Sequence, residues 1–461
     1  VMELRELTMA VDGVFLTQLL HQNGVNMRYL GLVMKHVQKL CPIYRDLVMR
    51  EMVVRALKPL WSEAVSNVPE HELAQTIASF LNAYFGRVSN NPKGTRSGLP
   101  LVTGEKVSST SLFNHDGLWA RIRENVEKKF QYTLPEFIPT TMFDLPTLRY
   151  ICIKLGIRLE TKNYDLNAEK PFEASNIADL QPVIKHHPPI NVESSELLLA
   201  GKRLLQDGRL DVALQFLQEA CDTSAAVYGL MHRDTAHCHS QVAMVYYHAN
   251  QFEDAYQHQL QATITSERVN GLDHFETVQA YGNLALYAHQ CGHHKVALNF
   301  IKRSIYLSHL LTGWPSIEHI HSYMNLGNML QENQDLQAAI HYFTKALTIS
   351  ENLNGSSHQL TGTLCHFIAM AHAANQNYRQ ALNYEKRSNQ IFTQVFGPKH
   401  QRTVESNILL QTYTQQAVQF EREKKAPTSK PARGRQAEFS MPNAPAIKPG
   451  TIFYCPNLFA T

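Results

Sequence analysis

Residues 271–313 read GLDHFETVQAYGNLALYAHQCGHHKVALNFIKRSIYLSHLLTG, and the glycine at each end of this stretch decides the fold. Glycine returns every 42 positions, at Gly229, Gly271, Gly313, Gly355 and Gly397. It makes up only about 7% of ordinary sequence, so five in register mark a repeat. Ala213, Ala255, Ala297, Ala339 and Ala381 form a second ladder, and Gly201, Ala243, Ala285, Gly327 and Ala369 a third. Small residues at fixed places let two helices approach closely. Within the quoted stretch Tyr281, Leu284, Ala285 and Ala288 fall at i, i+3, i+4 and i+7. Ala297, Phe300, Ile301 and Ser304 do the same, so each unit reads as two helices joined by a turn at Gln290 to His294.

A fourth ladder, Ala220, Ala262, Ser304, Ala346 and Ser388, completes a pattern that resembles the tetratricopeptide repeat. That repeat usually has 34 residues. Eight more per unit allow about one extra turn per helix, and units of this length resemble those of kinesin light chains. Each repeating glycine is expected to end a helix in the left-handed conformation, with Thr235, Thr277 and Thr403 capping the next helix. Pro315 and Pro398 sit in the same gaps, where no helical hydrogen bond is lost.

Outside the repeats, composition sets limits. The chain has 461 residues, 44% of them apolar, and a formal net charge of +3. Its mean hydropathy is -0.28 and no stretch is apolar enough for a membrane span, so a cytoplasmic protein is expected. Seven cysteines, an odd number without a CxxC pair, fit free thiols better than a disulfide framework. The first residue is Val rather than Met, which suggests a fragment of something longer.

Upstream, residues 12–60 read as three helices: one ending near Asn23-Gly24, one from Asn26 to Leu40, and one after Pro42 carrying Ile43, Leu47, Val54 and Leu57 on one face. A fourth starts at Pro69 with Leu73, Ile77, Leu81 and Tyr84. Residues 86–110 are rich in Gly, Ser, Asn and Pro and read as a flexible linker. Leu118, Ile122, Val126 and Phe130 then mark a helix, and Leu145 to Leu155 another stopped by Gly156. Tyr132 to Leu134 is expected to pair with Ile157 to Leu159 as a small ribbon. Beyond Glu423 the helical period fades and Lys424, Lys425, Lys430, Arg433 and Arg435 crowd together, so 426–461 reads as a disordered basic tail.

The segments HQNGVNMRYLGLVMKHV (21–37), REMVVRALKPLW, SFLNAYFGRV, LWARIRENVEKKFQY and LRYICIKLGIRL resemble, in order and spacing, the end of the Clu domain of clustered-mitochondria proteins and the segment after it. The repeats continue the likeness through VYGLMHRDT, TSERVNGLDHFETVQAY and FGPKHQRTVESNILLQTYTQQAV, so it covers about residues 12–423. It implies an all-α chain: residues 1–85 the C-terminal part of a Clu-like domain, 111–190 a small, mostly helical connecting domain, and 191–425 a solenoid of about five 42-residue helix pairs plus a final helix. By the same resemblance the protein is a cytoplasmic adaptor that binds mRNAs of nuclear-encoded mitochondrial proteins. It would govern the distribution of mitochondria and connect to translation initiation factor three. Relatives often carry a lysine-rich run in the linker, whereas this chain has only Lys93, Arg96 and Lys106.

Candidate sites follow from helix phase, because the first helix of each tetratricopeptide unit faces the concave side. Asn283 and Asn325 occupy equivalent positions, with Asn328 one turn on, and an amide that donates and accepts can hold an extended peptide by its backbone. Tyr247, His248, His289 and Gln331 lie on the same inferred face. These polar residues equally suit a solvated helix face. On the second helices Arg303, Lys345 and Arg387 recur, with Lys302 and Lys386 beside them and Tyr306 and Tyr384 nearby, a pattern that could hold phosphate and stack bases or simply solvate the surface.

His237, Cys238 and His239 are consecutive and point about 100° apart on a helix, which does not suit tetrahedral zinc; Cys291, His293 and His294 crowd a turn. No metal or cofactor is expected. The sequence holds no GxxxxGK[ST], HExxH or GxSxG motif, so a binding protein is expected rather than an enzyme.

Overall fold

The computed structural model describes residues 13–40, 43–86, 113–135, 138–183, 191–313 and 316–425. Apart from Gly86, the expected linker at 86–110 lies outside these residues, as does the basic tail at 426–461. The chain divides into two compact units, Val1–Pro188 with Leu310–Trp314, and Pro189–His309 with Pro315–Thr461.

In the first unit, helices α1 (Gly13–Gln22), α2 (Leu30–Leu40), α3 (Ile43–Val65) and α4 (Glu70–Phe85) are followed by α5 (His115–Phe130) and α6 (Leu145–Leu155). Helix α3 is central and touches all five others. That position explains why it is apolar on more than one side: Val48, Met52, Val53 and Leu57 are all fully buried. Gly31 lets α2 approach closely, since a Cβ there would stand 2.1 Å from the carbonyl oxygen of Phe130. Asp144 caps α6 by accepting from the backbone N–H of Thr147 at 3.0 Å, and Gly156 ends it with φ of 78°.

The strand expectation needs correction. Ile157–Leu159 (β1) pairs antiparallel with Ile177–Leu180 (β2), and not with residues 132–134. The stretch 132–134 alternates like a strand because Tyr132 and Leu134 both turn into the core, and Arg123 donates to the carbonyls of Leu134 and Pro135. Apolar alternation reports which face is buried and does not name the hydrogen-bond partner.

The second unit is a helical solenoid of five pairs and a final helix. The pairs are α7 (Val192–Gln206) with α8 (Leu210–Tyr228), α9 (Arg233–His248) with α10 (Phe252–Asn270), α11 (Phe275–Gln290) with α12 (His294–Thr312), α13 (Ile317–Glu332) with α14 (Leu336–Asn354), and α15 (Gln359–Ala374) with α16 (Tyr378–Phe396); α17 (Gln401–Lys425) closes the series. The small ladders lie where helices meet. Ala213, Ala255, Ala297, Ala339 and Ala381 are all fully buried. Gly327 faces Phe343, whose ring a Cβ would meet at 2.5 Å. In the neighbouring pair the equivalent positions are Ala285 and the smaller Ile301.

Two details of the junctions depart from expectation. Gly229, Gly271, Gly355 and Gly397 have φ between 86° and 97° but ψ between 161° and 170°. This is not the left-handed helical basin; it is a region that essentially only glycine enters. Left-handed φ occurs instead at Gly208, Asn250, Gly292, Gln334 and Gln376, a second 42-residue ladder in the turn within each pair.

The caps also differ from the expected threonines. His232, His274, His358 and His400 accept through Nδ1 the backbone N–H two residues on, at 3.2 to 3.3 Å. Thr235, Thr277, Thr361 and Thr403 instead donate back to the carbonyls of the four glycines at 2.8 to 2.9 Å. At the third junction Ser316 and His319 exchange these roles in a reciprocal capping box. Threonine sits three residues inside the helix, so its hydroxyl looks backward over the turn it closes.

Candidate peptide-binding groove

First helices of neighbouring units touch one another, α7 with α9 and α11 with α13. On α13 the core face is Ile320, Tyr323, Met324 and Gly327, all buried. A separate stripe at Glu318, His321, Asn325, Asn328 and Glu332 follows the 3- and 4-residue steps of one helix face. Asn283, the equivalent of Asn325, is half-buried on α11, and Asn328 is half-buried on α13.

Polar atoms on this face are desolvated without compensation. Asn325 is only 7% exposed, and among the described residues its Oδ1 has no hydrogen-bond partner. The same holds for Gln331 Oε1, His321 Nδ1 and the Tyr247 hydroxyl. Leaving such an atom unpaired costs about 1–3 kcal/mol. Burial holds His321 down to about 4, and burial alone pushes the Glu318 carboxyl up to about 7. The Tyr247 ring lies 4.9 Å from that of Tyr287, tilted by 30°, and burial, followed by the Glu332 charge, raises its pKa to about 12.

His289 is buried, with Nε2 against a Glu332 carboxylate oxygen and Nδ1 3.0 Å from Nδ1 of His294. A carboxylate only accepts, so Nε2 of His289 donates to Glu332, and in a neutral His289 ring Nδ1 is then the acceptor towards His294. Tyr247 with Tyr287, and His289 with Glu332, thus join three consecutive units near the C-terminal ends of α9, α11 and α13. His248 lies beside Tyr247 at the end of α9, with burial lowering its pKa.

On the second helices the arginines are engaged. Arg303 on α12 reaches Glu267 on α10 at 3.4 Å and lies over the Tyr281 ring at 4.9 Å, while Arg387 on α16 pairs with Glu351 on α14. Lys302, Lys345 and Lys386 are exposed, with Lys345 over Tyr342 at 5.6 Å. The middle unit replaces the glutamate by His309, whose Nε2 lies 3.0 Å from the Tyr323 hydroxyl.

Sequence reading missed Glu318, His321 and Glu332. Their spacing from Asn325 on one helix was the available signal. It also missed a buried carboxylate: Glu385, fully buried where Phe343 stands one unit earlier, receives Ser406 Oγ at 2.5 Å and faces His366 Nδ1 at 3.1 Å. Among the described residues no three His, Cys, Asp or Glu side chains form a metal-binding group, and no helix is long and apolar enough to cross a membrane.

Comparison with known proteins matches both halves of this architecture. The family described as translation initiation factor eIF3 subunit 135 matches residues 7–166, and the tetratricopeptide repeat family matches 234–305 and 318–394. The clustered mitochondria protein of Arabidopsis thaliana is 34% identical over 275 residues, covering 54% of this chain and 20% of that protein. The Caenorhabditis elegans homologue is 29% identical over 431 residues, covering 89% of this chain and 34% of that protein.

The chain is similar to the clustered-mitochondria proteins in both of its units.

The chain spans about a fifth to a third of the length of these two relatives. The Arabidopsis protein named REDUCED CHLOROPLAST COVERAGE 3 is 32% identical over 247 residues, covering 53% of this chain and 14% of that protein. Among solved structures, BtubC of P. vanneervenii is similar with 17% identity and a TM-score of 0.41, covering 44% of this chain and 81% of that one.

Proposed function

We propose that this chain is a clustered-mitochondria family member and a non-enzymatic cytoplasmic adaptor whose repeat groove grips an extended peptide by its backbone. One observation carries the reading: Asn283 and Asn325 stand at equivalent places on adjacent first helices, and Asn325 presents a buried, unpaired acceptor. Tyr247, His289, Asn328 and Gln331 frame the same surface. Relatives named for clustered mitochondria and for reduced chloroplast coverage support a role in placing an organelle in the cell. The match to an initiation factor three subunit supports a contact with the translation machinery.

The test is an affinity pull-down from cell extract with the Asn283→Leu/Asn325→Leu double variant. Loss of partners with an unchanged helical circular dichroism spectrum supports the groove; an unchanged partner set removes it. Binding of mRNAs for mitochondrial proteins through Lys302, Arg303, Lys345, Lys386 and Arg387 is a second reading, favoured by Lys345 and its neighbouring Tyr342 ring. RNA affinity through that stripe falls steeply with salt as counterions are released, and a flat salt response excludes it.

A further inference from the structure

The unpaired groups on the groove face have a common chemistry. Asn325 Oδ1 and Gln331 Oε1 are acceptors, and a neutral His321 Nδ1 or the Tyr247 hydroxyl can also accept. Two carboxyl groups, Glu318 and Glu332, bracket them on α13. Burial alone raises Glu318, with no positively charged group offsetting it. Glu332 stands at the C-terminal end of α13, where the helix dipole also favours positive charge, and its side chain is 51% exposed. His289 occupies one carboxylate oxygen and leaves the other open to a ligand.

Resting on the groove reading above, we infer that the extended segment held along α13 carries basic side chains, arginine above all, set between Glu318, Asn325, Gln331 and Glu332. A guanidinium offers five N–H donors and no acceptor, which matches a stripe of amide oxygens and carboxylates. An acidic segment would meet the Glu332 carboxylate and a partly ionised Glu318, and would leave the acceptors unpaired. The basic second-helix positions lie on different helices, so the two surfaces select opposite charges.

Fluorescence anisotropy of the full chain tests this with three labelled Gly-Ser-Ala nonapeptides carrying two central residues that are Arg, Gln or Glu. The Arg probe binds at least about tenfold tighter than the Gln probe, and the Glu probe binds weakest. Glu318→Gln/Glu332→Gln removes most of the Arg preference and keeps Gln-probe binding. If the double variant loses helical signal, Glu332→Gln alone is used.

Equal binding of the three probes, or an Arg preference that survives the acid-to-amide changes, overturns the inference. Charge-blind binding that Asn325→Leu abolishes leaves the peptide groove standing and removes only its charge preference. An acid-dependent Arg preference untouched by Asn325→Leu upholds the inference and removes the amide grip. Failure of every probe to bind overturns both.

Discussion

The two units of this chain are stabilised over different distances along the sequence. In residues 13–183 the decisive contacts are remote: Arg50 donates to Thr141 and Asp144, Tyr150 bonds Glu51, and Asn82 exchanges two hydrogen bonds with Phe172. In residues 191–425 they are near: threonine to glycine six residues back, serine to threonine eleven apart, arginine to glutamate thirty-six apart. One core of large side chains, with Tyr84, Trp119 and Phe143 in mutual contact, holds the first unit. Small residues repeated from pair to pair hold the second. Damage in the first unit is therefore expected to spread, and damage in the second to stay within about one repeat.

Acidification should separate the units most strongly. Burial lowers His237 and His319 to about 3 and His239 and His321 to about 4, all in the repeats. Their folded pKa lies below the ordinary 6.5, so the unfolded chain takes up protons first as pH falls. Repeat stability is present above about pH 6.5 and declines down to about pH 3. Glu318, raised to about 7, opposes this by one group. In the first unit burial raises Asp144, which gains stability as pH falls. Hydrogen exchange between these pH values should show the repeats opening first; simultaneous opening breaks the contrast.

Trp119→Ala should cost about 3–5 kcal/mol and expose the whole first unit to protease, with the repeats still protected. Protection of α1 to α4 in that variant would mean the first unit is itself modular. In the repeats, Gly327→Ala drives a Cβ into the buried Phe343 ring and should cost about 1–3 kcal/mol, recovered in part by Phe343→Leu. Gly282→Ala, whose Cβ meets nothing closer than Ser304 Oγ at 3.6 Å, should instead stabilise by about 0.5–1 kcal/mol. Thermal unfolding distinguishes the two.

A further contrast sets the two positive-φ ladders against each other. Gly355 has open space around it, so Gly355→Ala should cost about 1–3 kcal/mol through backbone conformation alone. Gln334 has φ of 65°, and Gln334→Gly should be neutral or stabilising by up to about 1 kcal/mol. Equal costs at the two positions would erase the distinction drawn between the junctions.

Helix number, order and phase in the repeats were legible because each pair is built from contacts within about 42 residues, and their repetition made small residues visible as ladders. The helices of the first unit were legible for the same local reasons: Gly156 stops α6, and four apolar positions mark α5. The strand partner of residues 157–159 was hidden, because residues 132–134 alternate as a strand would whereas the actual partner, Ile-Ala-Asp-Leu at 177–180, does not. The histidine caps were hidden too. Their imidazoles cap by accepting one nearby N–H, a geometry that depends on where each helix actually begins.

Composition and period thus determined that this chain stacks helix pairs, since periodicity is a property of the sequence itself. Which glycines are irreplaceable, which arginines are already paired and which amides remain unpaired were settled by the tertiary structure. Those properties depend on backbone angles and on atoms brought within about 3 Å across different helices.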